Sequence, residues 1–173
     1  EELEEMTGLV SDVVELAREP GANQVAPQEV RLDELAHDAV ERARRRARKL
    51  DFSERLSPSL VSGDPARIGR AISNLLDNAA KWSPEGGTIE VEVAEGAVAV
   101  RDHGPGFAAE ALPKVFDRFW RSDEARGTPG SGLGLAIVQR VAEEHGGTAA
   151  AANAEGGGAR VTIRLPAEPQ AAS

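Results

Sequence analysis

Gly130 to Leu135 reads GSGLGL, and no other stretch narrows the choice of fold so far. Three glycines alternate there with small or aliphatic residues, directly ahead of the apolar helical run Ala136, Ile137, Val138, Val141 and Ala142. Glycine lets a backbone turn tightly and lets another group approach it closely. A helix that starts after such a turn presents unpaired N–H groups and the positive end of its dipole, which suits an anion. Two readings stay open here: a phosphate cradle, or a packing turn ahead of a buried helix.

Composition limits what else the chain can be. Hydrophobic residues make up 40% and aromatic residues only 3%, so the core is built from Leu, Val, Ile and Ala. Cysteine is absent, which removes disulfides and thiolate metal sites. The three histidines, His37, His103 and His145, are scattered rather than spaced as a metal cluster. A net charge of -9 argues against nucleic acid or acidic lipid as a general partner. No apolar run approaches the roughly 20 residues that span a bilayer, and the opening EELEEM is not a signal peptide. The stretch is expected to be soluble as it stands, and to start in the middle of a helix within a larger membrane protein.

Leu3, Met6, Val10, Val13 and Ala17 recur at spacings of three and four, an a/d seam with Glu1, Glu2, Glu4, Glu5, Asp12 and Glu15 off it. Two heptads do not hold alone, so the helix lies against a partner helix or a second copy, or else flat on the domain. Pro20-Gly21 ends it, and Glu19 to Pro27 reads as a linker. Val30 to Leu32 is a candidate short strand, with Asp33 as the cap of the next helix. On that helix Leu35, Ala36, Ala39, Val40, Ala43, Ala47 and Leu50 fall within roughly 140° of arc. Arg42, Arg44, Arg45, Arg46, Arg48 and Lys49 form a solvated basic face. Asp51 to Leu56 reads as a strand and the residues to Gly63 as a loop.

Asp64-Pro65 predicts a helix start, with a capping carboxylate and proline in the first turn. The helix runs to about Lys81, with Ile68, Ile72, Leu75 and Ala79 on one face. Asn74, Asn78 and Lys81 lie nearly opposite, within about 60° of one another. Asparagine is a poor helix-interior residue, so two of them one turn apart, followed by an ammonium, read either as wet surface or as a holder for hydrated Mg²⁺ and its phosphates.

Thr88 to Ala94 alternates as a strand, Glu95-Gly96 turns, and Ala97 to Asp102 returns as its hairpin partner. Parity puts Asp102 on the same side as Val98 and Val100, so a carboxylate continues the buried face and needs donors. Those donors are a ligand amine, or the backbone of its own glycine-rich turn. Phe107 to Pro129 is long for a connection and carries Leu112, Val115, Phe116, Phe119 and Trp120 among Arg118, Arg121 and Arg126. His145-Gly146-Gly147 reads as a glycine C-cap with a cation in the last turn. Thr148 to Ala152 and Ala159 to Leu165 form a last hairpin, and Pro166 onward is an Ala/Pro tail.

NLLDNAAKW at 74–82, DHGPG at 102–106, VFDRFWR at 115–121 and GSGLGL at 130–135 stand in that order. Their order and spacing resemble the ATP-binding catalytic domain of bacterial two-component sensor histidine kinases, within the group that includes gyrase-, Hsp90- and MutL-type ATPases. The resemblance covers roughly residues 28–166. It implies an α/β (α+β) two-layer sandwich, a mixed five-stranded sheet with three helices on one face, and an ATP lid at about 107–130. Residues 1–19 then resemble the end of a dimerisation and phosphoacceptor helix, 20–27 a linker and 167–173 a disordered tail.

By the same resemblance, Asn78 with Asn74 holds Mg²⁺ and Lys81 reaches the phosphates of ATP. Trp82 stands where tyrosine is usual near the adenine, and Trp120 makes the same replacement in the lid. Asp102 accepts from the adenine 6-amino group, with Gly104, Gly106 and Phe107 shaping the space around the base. Arg121 approaches the γ-phosphate while Arg118 anchors the lid. Ser131, Gly132, Leu133, Gly134 and Leu135 bring backbone N–H groups to the phosphates.

No histidine here fits the phosphoacceptor pattern, because His37-Asp38 runs on into Ala39-Val40. The acceptor and its base are expected upstream of residue 1, on the same protein's helical hairpin. The resemblance implies phosphotransfer to that hairpin, relay to a response regulator, a homodimer, and a cytoplasmic domain of a membrane-bound protein, itself without membrane contact. Two alternatives share the ATP site: a serine kinase acting on a sigma-factor regulator, and a nucleotide-binding regulatory module without turnover.

Overall fold

The computed structural model describes residues 2–21, 25–122, 125 and 130–169. Seven strands and four α-helices are present among the described residues: α1 Glu2–Ala17, β1 Gln28–Arg31, α2 Leu32–Arg46, β2 Asp51–Leu56, β3 Leu60–Gly63, α3 Pro65–Trp82, β4 Thr88–Ala94, β5 Ala97–Arg101, α4 Gly134–Glu144, β6 Thr148–Asn153 and β7 Ala159–Arg164. A 3₁₀ turn, Leu112–Lys114, sits in the long connection before α4.

Five strands form one mixed sheet in the order β2-β4-β5-β7-β6. β2 and β4 are parallel, with β3 and α3 as the crossover, and the other pairs are antiparallel. Alternation decides which way the sheet faces. Ile89, Val91, Val93, Val98, Val100, Val161 and Ile163 all point into the core, where α2, α3 and α4 cover them. The opposite parity carries charge, with Glu92 taking both Arg55 and Arg160. The two-layer sandwich implied by the four boxes is the fold observed.

Local chemistry sets the helix ends. Asp64 accepts from Ala66 N at 3.0 Å and Arg67 N at 3.4 Å, with Pro65 in the first turn of α3. Such a cap stabilises by about 1 kcal/mol. Asp33, expected as the cap of α2, is instead inside its first turn. It pairs with Arg31 and accepts from Ser59 N at 3.1 Å, which ties α2 to the approach of β3. Leu60–Gly63 is not the expected loop. It pairs antiparallel with β1, Val30 opposite Val61, as a small second sheet. Four residues are too few for periodicity to announce a strand. The residues after β7 also depart from a loose tail, since Ala167 bridges Val61 and Glu168 N donates to Leu60 O at 2.8 Å.

At the end of α4, His145 sits between two backbone partners. Its Nε2 accepts from Asp64 N at 3.1 Å and its Nδ1 faces Val141 O at 2.7 Å, the arrangement that suits the tautomer with its hydrogen on Nδ1. The imidazole thereby locks the end of α4 to the start of α3.

α1 meets the rest of the fold through its polar side. Glu15 and Leu16 are buried, Glu15 pairs with Arg67 at 2.6 Å, and Asp12 pairs with Arg70. Arg140 of α4 donates to Leu16 O and Arg18 O, and Arg118 donates to Leu16 O at 3.5 Å. The a/d residues face outward: Leu3 is 80% exposed and Met6 and Val10 each 63%. Of the two placements left open for this helix, the domain takes its polar side and leaves the seam bare.

Candidate nucleotide-binding site

The helix start that Asp64 fixes sets the phase of α3, and the phase sends Asn74, Asn78 and Lys81 to one side. They line a cavity of about 390 Å³ between α3, the loop after β5 and the residues before α4. Asn74 Nδ2 donates to Gly134 O at 3.3 Å, which joins the two helices and leaves its amide oxygen without a protein donor among the described residues. The Lys81 ammonium lies beside Gly130, with Nζ 5.5 Å from the centroid of the Trp82 ring. Burial, and then the neighbouring Arg121 cation, push the Lys81 pKa below its ordinary 10.5. An anion beside the two cations would relieve that strain.

Asp102 follows β5 and is 2% exposed, as strand parity required. Its Oδ1 accepts from Gly104 N at 2.9 Å and from Ala159 N at 3.2 Å. Both protein hydrogen bonds fall on that one oxygen. Asp102 therefore caps its own turn and still lines the cavity with a carboxylate whose Oδ2 has no protein donor among the described residues. The two readings of Asp102 are compatible. Gly104 stands outside the cavity lining, because its place is against Trp82: a Cβ there would lie 2.2 Å from Trp82 O. Gly106, Phe107 and Trp82 line the cavity beside Asp102.

The lid segment contributes Trp120 and Arg121 to the wall, and Arg121 donates to Ala125 O. Arg118 turns away to α1. Phe119 adopts φ 61 and is 65% exposed, while its N–H donates to Gly132 O at 3.0 Å. That close approach explains a glycine at 132, where a Cβ would meet Phe119 C at 2.9 Å and φ is 72. Arg126 lies outside the described residues.

Ser131, Gly132, Gly134 and Leu135 line the cavity, but Leu133 does not. Its side chain is fully buried and its N–H donates to Ser131 Oγ at 3.2 Å. Leu133 is therefore a core plug at the N-cap of α4, with its backbone donor already engaged, rather than a phosphate contact. Two acidic residues of the wall carry no such sign in the sequence. Asp12 of α1 and Asp77 of α3 both reach the cavity, Asp77 while paired with Arg46 at 3.2 Å. Asp12 reads as an off-seam charge, and only the docking of α1 brings it here.

The side chains offered to a divalent ion are amide and carboxylate oxygens, the hard donors that suit Mg²⁺. One other group of His and carboxylate ligands converges among the described residues, His37, Glu41 and Glu54. Arg44 already pairs with both of its carboxylates, so it is an ion-pair network between α2 and β2. No helix among the described residues is long and apolar enough to cross a membrane.

The family described as histidine kinase-, DNA gyrase B-, and HSP90-like ATPase matches residues 63–169. The signal transduction histidine-protein kinase/phosphatase MprB of Mycolicibacterium vanbaalenii is 45% identical over 152 residues, 85% of this chain and 31% of that protein. The chain thus spans about a third of the length of the curated relatives it matches. Among solved structures, a mycobacterial sensor histidine kinase MprB is 40% identical, with a TM-score of 0.75 over 83% of this chain and 100% of that one. Full-length ShkA in complex with AMPPNP is 29% identical, with a TM-score of 0.79 over 96% of this chain and 37% of that one. The chain belongs to the histidine kinase-, DNA gyrase B- and HSP90-like ATPases, as an ATP-binding catalytic domain of the sensor histidine kinase branch.

Proposed function

We propose that this domain binds Mg-ATP in the cavity between α3 and the lid and delivers the γ-phosphoryl group to a histidine on a helical hairpin. The observation that carries the reading is convergence: Asn74, Asn78 and Lys81, then Asp102, then Arg121 with Ser131, Gly132 and Gly134 come from separate parts of the chain to one cavity. Asp102 Oδ2 accepts from the adenine 6-amino group. Trp82, Trp120 and Phe107 offer apolar surface to the base, and Lys81, Arg121 and the N–H groups at the start of α4 hold the phosphates. Asn78, with the free oxygen of Asn74, would hold Mg²⁺, which neutralises phosphate charge when bound. The chain's contribution to phosphoryl transfer is positioning and charge neutralisation, with no covalent step of its own.

Residues 1–19 act, in this proposal, as the end of the dimerisation and phosphoacceptor hairpin, 20–27 as a linker and 28–166 as the catalytic unit. The bare a/d seam of α1 supports the first assignment, because exposed Leu3, Met6 and Val10 are the residues a hairpin partner would cover. Relay to a response regulator, a homodimer and attachment to a membrane belong to the whole protein and share this standing.

The test is transfer to a separately produced hairpin. With Mg-ATP, acid-labile phosphate is expected on a hairpin histidine and none on His37, His103 or His145. Each of these three has an occupant: Glu54 for His37, Glu90 for His103, and Asp64 and Val141 for His145. Label on any of the three, or acid-stable phosphoserine on a candidate serine substrate in place of the hairpin label, overturns the assignment.

A further inference from the structure

The lid is tied to the sheet at one side chain outside the cavity. Asn153, the last residue of β6, accepts on Oδ1 from Phe107 N at 2.7 Å and donates from Nδ2 to Phe107 O at 2.8 Å. The carboxamide thus takes both backbone groups of the first lid residue, as a neighbouring strand would take them. Phe107 lines the cavity with its ring against the core. Gly106 leaves the room for this contact, since a Cβ there would lie 2.6 Å from Asn153 Oδ1.

The ground on which Asn153 stands is itself bound to the base-proximal loop. Arg101 Nη2 donates to Glu155 O at 3.0 Å and Gly157 O at 3.1 Å, and Ala154 N donates to Gly158 O at 2.9 Å. Ala159 exchanges both backbone groups with Asp102, N to Oδ1 at 3.2 Å and O from Asp102 N at 3.0 Å. The β6–β7 turn and Asp102 therefore form one hydrogen-bonded piece, and Asn153 fastens the start of the lid to it.

We propose that Asn153 is a positioning residue that sets the hinge of the ATP lid, and through it nucleotide affinity, by clamping the Phe107 backbone. The inference rests on the ATP-site reading. Asn153 is exposed and absent from the cavity wall, so it acts through Phe107. The chemistry is selective: a short carboxamide puts a donor and an acceptor on two separate atoms, one for each backbone group of Phe107. Without the clamp, residues from 107 onward gain freedom that ATP binding must remove again. Two lost hydrogen bonds open the hinge by about tenfold, of which the ligand feels about three- to tenfold.

The experiment compares this chain with Asn153→Ala, Asn153→Ser and Asn153→Asp, using calorimetry with Mg-AMPPNP and amide hydrogen exchange without nucleotide. Expected affinities fall in the order Asn, then Ser or Asp, then Ala, because serine and aspartate keep one of the two bonds. Exchange should rise in Asn153→Ala at Phe107 and along the lid, with β4, β5 and β7 unchanged. Wild type that fails to bind Mg-AMPPNP refutes the ATP-site reading itself. Wild type that binds, with Asn153→Ala equally tight or with faster exchange spread evenly over the whole sheet, overturns the positioning role alone.

Discussion

Replacing Asp102 by asparagine separates the two roles that its carboxylate holds. The new amide has two orientations. With its oxygen in place of Oδ1, it keeps the bonds from Gly104 N and Ala159 N and points NH₂ at the ligand. With its nitrogen there, two backbone donors face a third donor, and each stranded group costs about 1–3 kcal/mol. The first orientation wins, so the fold survives with a loss of about 1 kcal/mol from the weaker neutral acceptor. The ligand pays instead. A charge-assisted bond to the adenine 6-amino group, about 1.5–3 kcal/mol, becomes a donor-to-donor contact. A total near 3 kcal/mol weakens Mg-AMPPNP binding about 150-fold. Inosine triphosphate, with an acceptor oxygen at the same position, should move the other way, because NH₂ donates to it. Calorimetry with both nucleotides and a urea titration of each protein make the measurement. Unchanged affinity for both nucleotides, with stability intact, would refute the placement of adenine at Asp102.

Three further outcomes test the surroundings of the site. Arg67→Met strands Glu15, whose side chain is 7% exposed, and removes the pair with Glu144. The buried-pair cost of about 3–5 kcal/mol, discounted to about 2 kcal/mol because Arg18 stays 3.5 Å from Glu15, should speed amide exchange at residues 12–17 about 30-fold; unchanged exchange would contradict the docking of α1. Acid should loosen the same contact. Burial pushes Glu144 up, but Arg67 and Arg140 outweigh it and hold the carboxyl below 4.5, so its contribution is full above 4.5 and is lost as pH falls through the lowered value. His37 is held above 6.5, first by its hydrogen bond with Glu54. Its contribution is full below 6.5 and is lost as pH rises through the raised value. NMR titration should show His37 returning toward 6.5 in Glu54→Gln, and an unmoved midpoint would exclude the pairing.

Much of the frame was legible because it depends on short-range rules. The Asp64-Pro65 cap and the alternation of Thr88 to Asp102 each fix local conformation through neighbours a few residues away. From the cap follows the helical phase that groups Asn74, Asn78 and Lys81, and from strand parity follows the burial of Asp102. Sequence by itself therefore determined the phase of these elements, and the resemblance carried by the four motifs implied the two layers they build.

The tertiary structure decided whatever depends on a partner distant in the chain. β3 is a strand because β1 lies beside it. His145 becomes an acceptor because Asp64 N reaches its ring from 81 residues away. Leu133 departs from the expected row of backbone donors because the core takes its side chain and Ser131 Oγ takes its N–H. Asp12 reaches the cavity because Arg67, Arg70 and Arg140 hold α1 in place. Asn153 carries no periodic signal at all, since a lone amide at a strand end gains meaning only when Phe107 arrives opposite it. Local propensity and periodicity report the phase of each element, whereas side-chain roles are set by which elements meet, and only the packed chain specifies that.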